Sequence, residues 1–274
     1  LKFADDTKLF GKVNTVSDGL KLQKDLQMLV KWSVEWQMQF NVNKCKTMHI
    51  GKKNLDLDYR MNGVVLDVVE VEKDLGVMIS HDLKSSNQCL KAYASANKIL
   101  GMINRTIENK NSNIMLNLYK SLVRPHMEYC TAVWSPYYVK DKELIEKIQH
   151  RFTKMIIEVK HLSYADRLKK LGLWSLEERR NRSDLIEVYK MLHGSTSISY
   201  KNFFEIASDK RTRGHSMTLV KHRFETKIRQ QFFSERVINR WNSLDNDTVT
   251  ASSLNSFKTR LTMLRSTKMG FFLD

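Results

Sequence analysis

The chain has 274 residues, 42% of them apolar, with two prolines and ten glycines, which allows about two compact units and excludes a disordered or low-complexity chain. Its formal charge is +16, with 27 Lys+Arg against 16 Asp+Glu in residues 138–274 and 19 against 14 in residues 1–137; this excess favours a polyanionic partner, because cations that neutralise phosphates release condensed counterions. Cys45, Cys89 and Cys130 form no C-x-x-C pair and no long apolar run or secretory signal is present, so neither a zinc module nor a membrane partner is expected, and the sparse cysteines fit a reducing compartment, nuclear or cytoplasmic.

Residues 1–13 read as a β-hairpin, because Phe3-Ala4 runs into Asp5-Asp6 and Thr7-Lys8-Leu9-Phe10 alternates before Gly11. Thr15 to Asp18 is a T-x-x-D helix start, and Leu22, Leu26, Leu29, Val30 and Trp36 give one apolar face out to about Phe40. Val30, Trp32, Val34, Trp36, Met38 and Phe40 also alternate as a strand would, so both readings stand for that stretch. Short strands follow over 46–50, 59–61, 64–69 and 75–79, with Asn62-Gly63 as a type I′ turn.

From Asp82 the pattern becomes helical. Tyr93, Ala96, Leu100 and Ile103 make one face; Met115, Leu118, Tyr119 and Leu122 make a second, ending at Pro125; Leu144, Ile148, Phe152 and Met155 make a third. Ser163 to Asp166 and Ser175 to Glu178 are capping-box starts, and Gly194 suits the end of the helix carrying Leu185, Val188, Tyr189 and Leu192. Residues 195–223 read as a linker or loop, followed by helices over Lys227 to Asn242 and Leu254 to Leu264. The expected fold class is α+β, with hairpins and a helix over about 1–80, a helical part over 81–194 and a basic extension over 195–274.

Phe3-Ala4-Asp5-Asp6 is the informative tetrapeptide. Polymerases transfer nucleotidyl groups with two divalent ions about 3.5–4 Å apart, and such ions need carboxylates held together whose repulsion the metal relieves. A tight hairpin can carry Asp5 and Asp6, and the small Ala4 leaves room for a primer. Mg²⁺ suits such hard oxygen ligands. Asp-Asp in a turn is common, however, and alone it is weak evidence.

The surroundings add to it. Phe-Ala-Asp-Asp-Thr-Lys-Leu resembles the motif C hairpin of reverse transcriptases from non-LTR retrotransposons. Phe40 to Met48 resembles motif D, and Lys73-Asp74-Leu75-Gly76-Val77-Met78-Ile79 resembles motif E, the primer grip. Leu118 to Pro125 with Glu128-Tyr129, Leu168 to Gly172 with Leu176 to Arg180, Arg211 to Ser216, and Phe232 to Val237 with Trp241 to Leu244 are similar to the thumb and carboxy-terminal extension of jockey-like and chicken-repeat-like elements. The resemblance covers nearly the whole chain. It implies an RNA-directed DNA polymerase, with a palm remnant over 1–80 and a thumb and connection over 81–194. It implies Asp5 and Asp6 as metal ligands and catalytic residues, Lys44 as a general acid toward pyrophosphate, and Leu75-Gly76 beside the primer. Mg²⁺, an RNA template, a DNA primer and dNTP are the implied ligands. The fingers and the motif A aspartate would precede Phe3, so residues 1–274 are expected to be a carboxy-terminal part, inactive by itself.

Other residues invite a nucleic-acid role on their chemistry. Arg211, Arg213 and His215 around Gly214 suit a phosphate-contacting loop, or equally a solvated one. Tyr137-Tyr138 beside Lys140 and Lys142 could stack on bases, with burial as the stronger alternative. Arg229, Arg236 and Arg240 flank Phe232, Phe233 and Trp241, which suggests packed aromatics and arginines turned toward nucleic acid. Two readings compete with the polymerase fragment: a non-catalytic module that binds RNA or an RNA–DNA duplex, and a decayed element with no selected role.

Overall fold

Left-handed backbone turns set the layout of the first of two units, residues 1–87 and 88–274, into which the chain divides. The computed structural model describes residues 1–51, 53–208 and 214–274. β1 (Lys2–Phe3) and β2 (Asp6–Thr7) pair antiparallel, Lys2 opposite Thr7 and Phe3 opposite Asp6. Ala4, at φ 51°, and Asp5 make the turn between them, so the expected hairpin is present. α1 (Val16–Glu35) opens on the expected capping box, in which the Asp18 N–H donates to Thr15 Oγ and the Thr15 N–H donates to the Asp18 carboxylate.

The helix reading therefore holds for this stretch, but α1 stops at Glu35 rather than near Phe40. Gln37 turns left-handed at φ 54°, and the Met38 N–H bonds back to the Ser33 carbonyl at 2.8 Å. This is a Schellman closure with glutamine where glycine is usual, so the sequence carries no stop signal there. On its inner side α1 buries Leu26, which packs with Leu22 and Val30 on Tyr59, Met61 and Leu66. A Cβ on Gly19 would run into Leu57.

β3 (Lys46–Thr47), β4 (Arg60–Met61), β5 (Val64–Val65) and β6 (Asp67–Val68) follow; β4 and β5 form a hairpin and β6 lies parallel to β3. Asn62 and Gly63, at φ 50° and 79°, close the hairpin as expected. β7 (Val71–Asp74) and β8 (Val77–Ser80) form a further hairpin. Here the reading of 75–79 as one strand is corrected. Leu75 and Gly76, at φ 43° and 90°, are the turn between β7 and β8. Leucine is a poor turn residue, so the apolar run hid the reversal and only Gly76 marked it.

Helices dominate from here on. α2 (Ser86–Thr106) buries Cys89, Ala92, Ala96, Leu100 and Ile103. α3 (Ser112–Leu118) is capped by the Asn111 side chain and runs into a π-helical turn, Tyr119–Val123. α4 (Pro125–Glu128) begins on its proline, and α5 (Thr131–Trp134), α6 (Val139–Met155), α7 (Tyr164–Lys170) and α8 (Leu176–Leu192) follow. Ser163 and Ser175 cap α7 and α8 as expected, and Gly194 turns the chain at φ 64° after α8. A buried polar cluster links these helices. The Tyr119 hydroxyl donates to Gln149 Oε1 at 2.7 Å, Gln149 Nε2 donates to the Trp174 carbonyl at 3.0 Å, and the Glu146 carboxylate accepts from the Leu176 N–H and the Tyr164 hydroxyl. Burial pushes the Glu146 carboxyl above its ordinary range, against those hydrogen bonds.

Residues 195–223, expected as a linker or loop, are loop with one 3-10 turn where described, and some of their side chains enter the core. Phe204, His215 and Leu219 are buried, and Ile206 bridges Leu219. α9 (Lys227–Gln230), α10 (Phe233–Arg236) and α11 (Ile238–Asn242) replace the single helix expected over 227–242, because Phe232 takes an extended ψ of 146° between the first two. α12 (Asn246–Val249) and α13 (Leu254–Thr267) complete the chain's helices. Leu185, Val188 and Tyr189 of α8 share one core with Phe204, Phe233, Trp241, Phe257 and Phe272. The fold is α+β, with its strand pairs within residues 2–80. No helix among the described residues is long and apolar enough to cross a membrane.

Leu75 sits in a conformation that disfavours residues with a Cβ by about 1–2 kcal/mol. Leu75→Asn, which restores the usual Asn-Gly pair, should stabilise the first unit by about 1 kcal/mol in urea unfolding; an unchanged or lower midpoint would show that the turn is not strained.

Candidate functional site

Asp5 lies in the turn of the first hairpin and Asp6 opens β2 opposite Phe3, both exposed. One residue beyond β2, the Lys8 ammonium is ion-paired with the Asp74 carboxylate. Asp74 ends β7, beside Leu75-Gly76. A single ion pair thus joins the hairpin bearing the acidic pair to the hairpin whose tip is Leu75-Gly76. Both charged side chains of that pair are partly solvated, so it orients the hairpins more than it stabilises them.

Beside the first hairpin, Leu1, Lys2 and Thr7 face Leu29 and Trp32 of α1 across an open cleft of about 360 Å³. The Lys2 ammonium stands 5.3 Å from the Trp32 ring centre, within cation–π range. Neither Asp5 nor Asp6 lines this cleft. Around it the unit leaves large apolar side chains uncovered: Phe3 is 64% exposed, Phe10 72% and Trp36 63%.

Lys44 ends a 3-10 turn, Val42–Lys44, and its N–H donates to the Asn41 carbonyl at 3.0 Å. Its side chain is exposed and makes no ion pair among the described residues. The fold therefore joins Asp5 and Asp6 with Leu75 and Gly76 through linked hairpins, while no bond ties Lys44 to them among the described residues.

The donors present are a partial set for Mg²⁺. The ion takes octahedral oxygen ligands, and Asp5 and Asp6 supply two neighbouring carboxylates. Among the described residues, no three His, Cys, Asp or Glu side chains are grouped to hold a metal ion. These residues alone do not make a two-ion centre.

The basic candidates of the second unit separate sharply. Arg211 and Arg213 lie outside the described residues. His215 is 7% exposed; its Nδ1 accepts from the Met217 N–H at 3.2 Å and its Nε2 donates to the Trp241 carbonyl at 3.1 Å. Both nitrogens are occupied, which fixes a neutral ring and leaves none for phosphate. Burial also holds its pKa below the ordinary value of 6.5.

Arg236 points inward. Its Nε and Nη2 donate to the two oxygens of Asp184 at 2.8 and 3.0 Å, Nη2 also reaches the Ala132 carbonyl at 2.9 Å, and Nη1 reaches the Gln231 carbonyl at 3.1 Å. It is an anchor for the fold and not a free cation. Periodicity misled here, because a charge beside aromatics reads as a solvated face whether or not a carboxylate waits inside. Arg240 likewise donates to the Phe271 carbonyl and to Asp274. Tyr137 and Tyr138 have ring centres 4.3 Å apart, with Lys140 over the Tyr138 ring, and Tyr138 stays 37% exposed.

Further exposed cations lie on α2 and α6: Lys98 and Arg105 on the first, Lys147, Arg151 and Lys154 on the second, beside the Lys140 already named. Their seven-residue spacing in the sequence places Lys98 with Arg105, and Lys147 with Lys154, on one side of each helix.

No family model matches the chain, and no curated protein or solved structure matches it at a significant level.

Asp184→Ala should destabilise the second unit by about 3–5 kcal/mol, because it strands a buried guanidinium. Asp184→Leu with Arg236→Met should recover most of that loss in denaturant titrations; equal losses in the single and double variants would refute the pairing. For His215 the unfolded state takes up a proton near pH 6.5 while the folded ring resists it. Stability should therefore fall as pH drops below about 6.5 and recover above it. That acid-side loss should shrink in His215→Gln, measured by unfolding midpoints across pH; an identical pH profile would exclude His215 as its source.

Proposed function

We propose that the chain is a carboxy-terminal part of the reverse transcriptase of a non-LTR retrotransposon, an RNA-directed DNA polymerase acting on an RNA template and a DNA primer with Mg²⁺ and dNTP. The observation that carries this reading is the Lys8–Asp74 ion pair between the Asp5-Asp6 hairpin and the Leu75-Gly76 hairpin. In the family it resembles, the first hairpin meets the reacting end of the primer and the second grips the primer backbone, so the two must lie side by side. The long helix α1 between them and the helical second unit agree with that order. The exposed apolar side chains of the first unit agree with palm elements that neighbour it in a whole polymerase.

In this reading Asp5 and Asp6 hold one side of a divalent-ion centre, and Leu75-Gly76 lets backbone approach the primer, since glycine has no Cβ. Lys44 would serve the leaving pyrophosphate in the complete enzyme. Residues 1–274 supply no motif A aspartate, and removing one member of a coupled catalytic set can abolish most of the rate.

A second reading, a binding module for RNA or an RNA–DNA duplex without catalysis, is favoured by the +16 charge. It shares the substrate and differs only in the chemistry.

The purified chain should show no templated dNTP incorporation with Mg²⁺, and incorporation abolished by Asp5→Ala would overturn the claim that its metal set is incomplete. Mn²⁺ added to the labelled protein should broaden NMR signals around residues 4–7, and Asp5→Asn with Asp6→Asn should remove that effect. Broadening elsewhere, or none, would count against the hairpin as a metal ligand and so against the polymerase reading.

A further inference from the structure

Residues 270–274 lie in a slot on the second unit as a strap. The Phe271 and Leu273 N–H groups bond locally, to the Lys268 and Gly270 carbonyls at 3.2 and 3.0 Å. Side chains of three helices hold the strap to the unit. Asn181 Nδ2 of α8 donates to the Phe272 carbonyl at 2.8 Å, and Arg240 Nε of α11 donates to the Phe271 carbonyl at 2.9 Å. Arg240 Nη2 and Lys142 Nζ of α6 donate to the two oxygens of the Asp274 side chain at 2.6 and 3.3 Å. Between these anchors the Phe272 ring is buried, 5.1 Å from the ring centre of Trp174.

Other bonds fix the walls of this slot. Arg182 and Arg265 stand over the Trp174 ring at 5.3 and 4.7 Å, and Arg265 donates to both oxygens of Glu178. Lys142 is held by Glu177 as well. Arg240 differs, because each hydrogen bond described for its side chain goes to the strap. Its side chain is largely buried, so an empty slot leaves guanidinium donors unmet, which is costly. The slot therefore selects an occupant of defined chemistry: a phenylalanine ring with backbone carbonyls beside it and an acid two residues further on.

The strap joins α13 through an exposed joint. Met269 is 98% exposed and Gly270 takes φ 77°, a conformation that suits glycine. A swing about this joint leaves α13 in place, since Phe257 and Leu261 hold that helix in the core.

We propose that the slot also accepts residues 270–274 of a second copy of this chain, so that two copies exchange straps. Exchange keeps each bond described above and changes only which copy supplies it, a low-cost route to a dimer. The strap of a second copy matches the slot by identity of sequence, which favours it over any other peptide. A copy's own strap competes at an effective concentration of about millimolar. Single copies therefore prevail at micromolar concentration unless their own strap misfits. The inference is independent of the polymerase reading.

The test uses two charge-altered whole chains. Asp274→Arg sets like charges together at Arg240, and Arg240→Asp sets like charges together at Asp274. Asp274 is half exposed, so its substitution leaves the core in place. Each variant alone should be monomeric by light scattering at micromolar concentration. Mixed in equal amounts they should form a heterodimer with energy transfer between labelled copies, because reciprocal exchange sets opposite charges in both slots. A mixture that stays monomeric overturns the proposal, as do equal amounts of dimer in each variant alone. If Arg240→Asp fails to fold by circular dichroism, a labelled peptide of residues 266–274 decides. It should bind the Asp274→Arg chain about tenfold or more tighter than the wild-type chain, whose own strap competes. The same peptide with Phe272→Ala should lose that binding. Equal binding to both chains, or binding indifferent to Phe272, overturns the proposal.

Discussion

One buried guanidinium organises the carboxy-terminal half of this protein. Arg236 takes both oxygens of Asp184, which is itself buried in α8, and spends its remaining donors on the carbonyls of Ala132 and Gln231. Those partners belong to α8, to α5 and to the segment before α10, so a single side chain fixes three stretches of chain. Removing a guanidinium from water is costly unless its donors find partners, and meeting those partners favours this position of α10. Once α10 is placed, Phe233 and Trp241 follow into the core shared with Phe257 and Phe272. His215 then closes over Trp241 through its ring nitrogen.

The first unit is built on a different principle. Its strands are short, and left-handed turns at Ala4, Asn62-Gly63 and Leu75-Gly76 define them more than burial does. The small core around Leu26, Tyr59, Met61 and Leu66 anchors only one side of α1. Leu20, Met28 and Trp36 remain exposed on other sides. A helix apolar around so much of its circumference is usually covered, and this agrees with a proposal in which the unit is one portion of a polymerase palm.

The division of charge follows from the same packing. Of the arginines that the sequence places beside aromatics, Arg236 and Arg240 are drawn inward to carboxylates and carbonyls, while Arg229 stays half exposed over Glu235. Lys98 on α2 and Lys147 and Lys154 on α6 make no ion pair among the described residues and stay outside. Cations of equal formal charge thus take opposite roles, one kind holding the fold and the other shaping the long-range field.

The sequence by itself determined the local structure. The Asp5-Asp6 hairpin, the capping boxes at Thr15 and Ser175, the Asn62-Gly63 turn and the helical stripes from Tyr93 onward are each written within a few residues, where propensity and hydrogen bonding act. It also carried the order of motifs on which the proposed function rests. It did not show the end of α1 at Gln37, the reversal at Leu75, or the burial of Phe204, His215 and Leu219, because non-glycine residues make those turns and partners distant in sequence bury those side chains. Only the tertiary structure decided which charges are buried, since Asp184 and Arg236 meet across fifty-two positions of chain. Only it brought Lys8 to Asp74. Local pattern fixes the face a side chain occupies on its own element, and the packing of one element on another fixes whether that face meets water or protein.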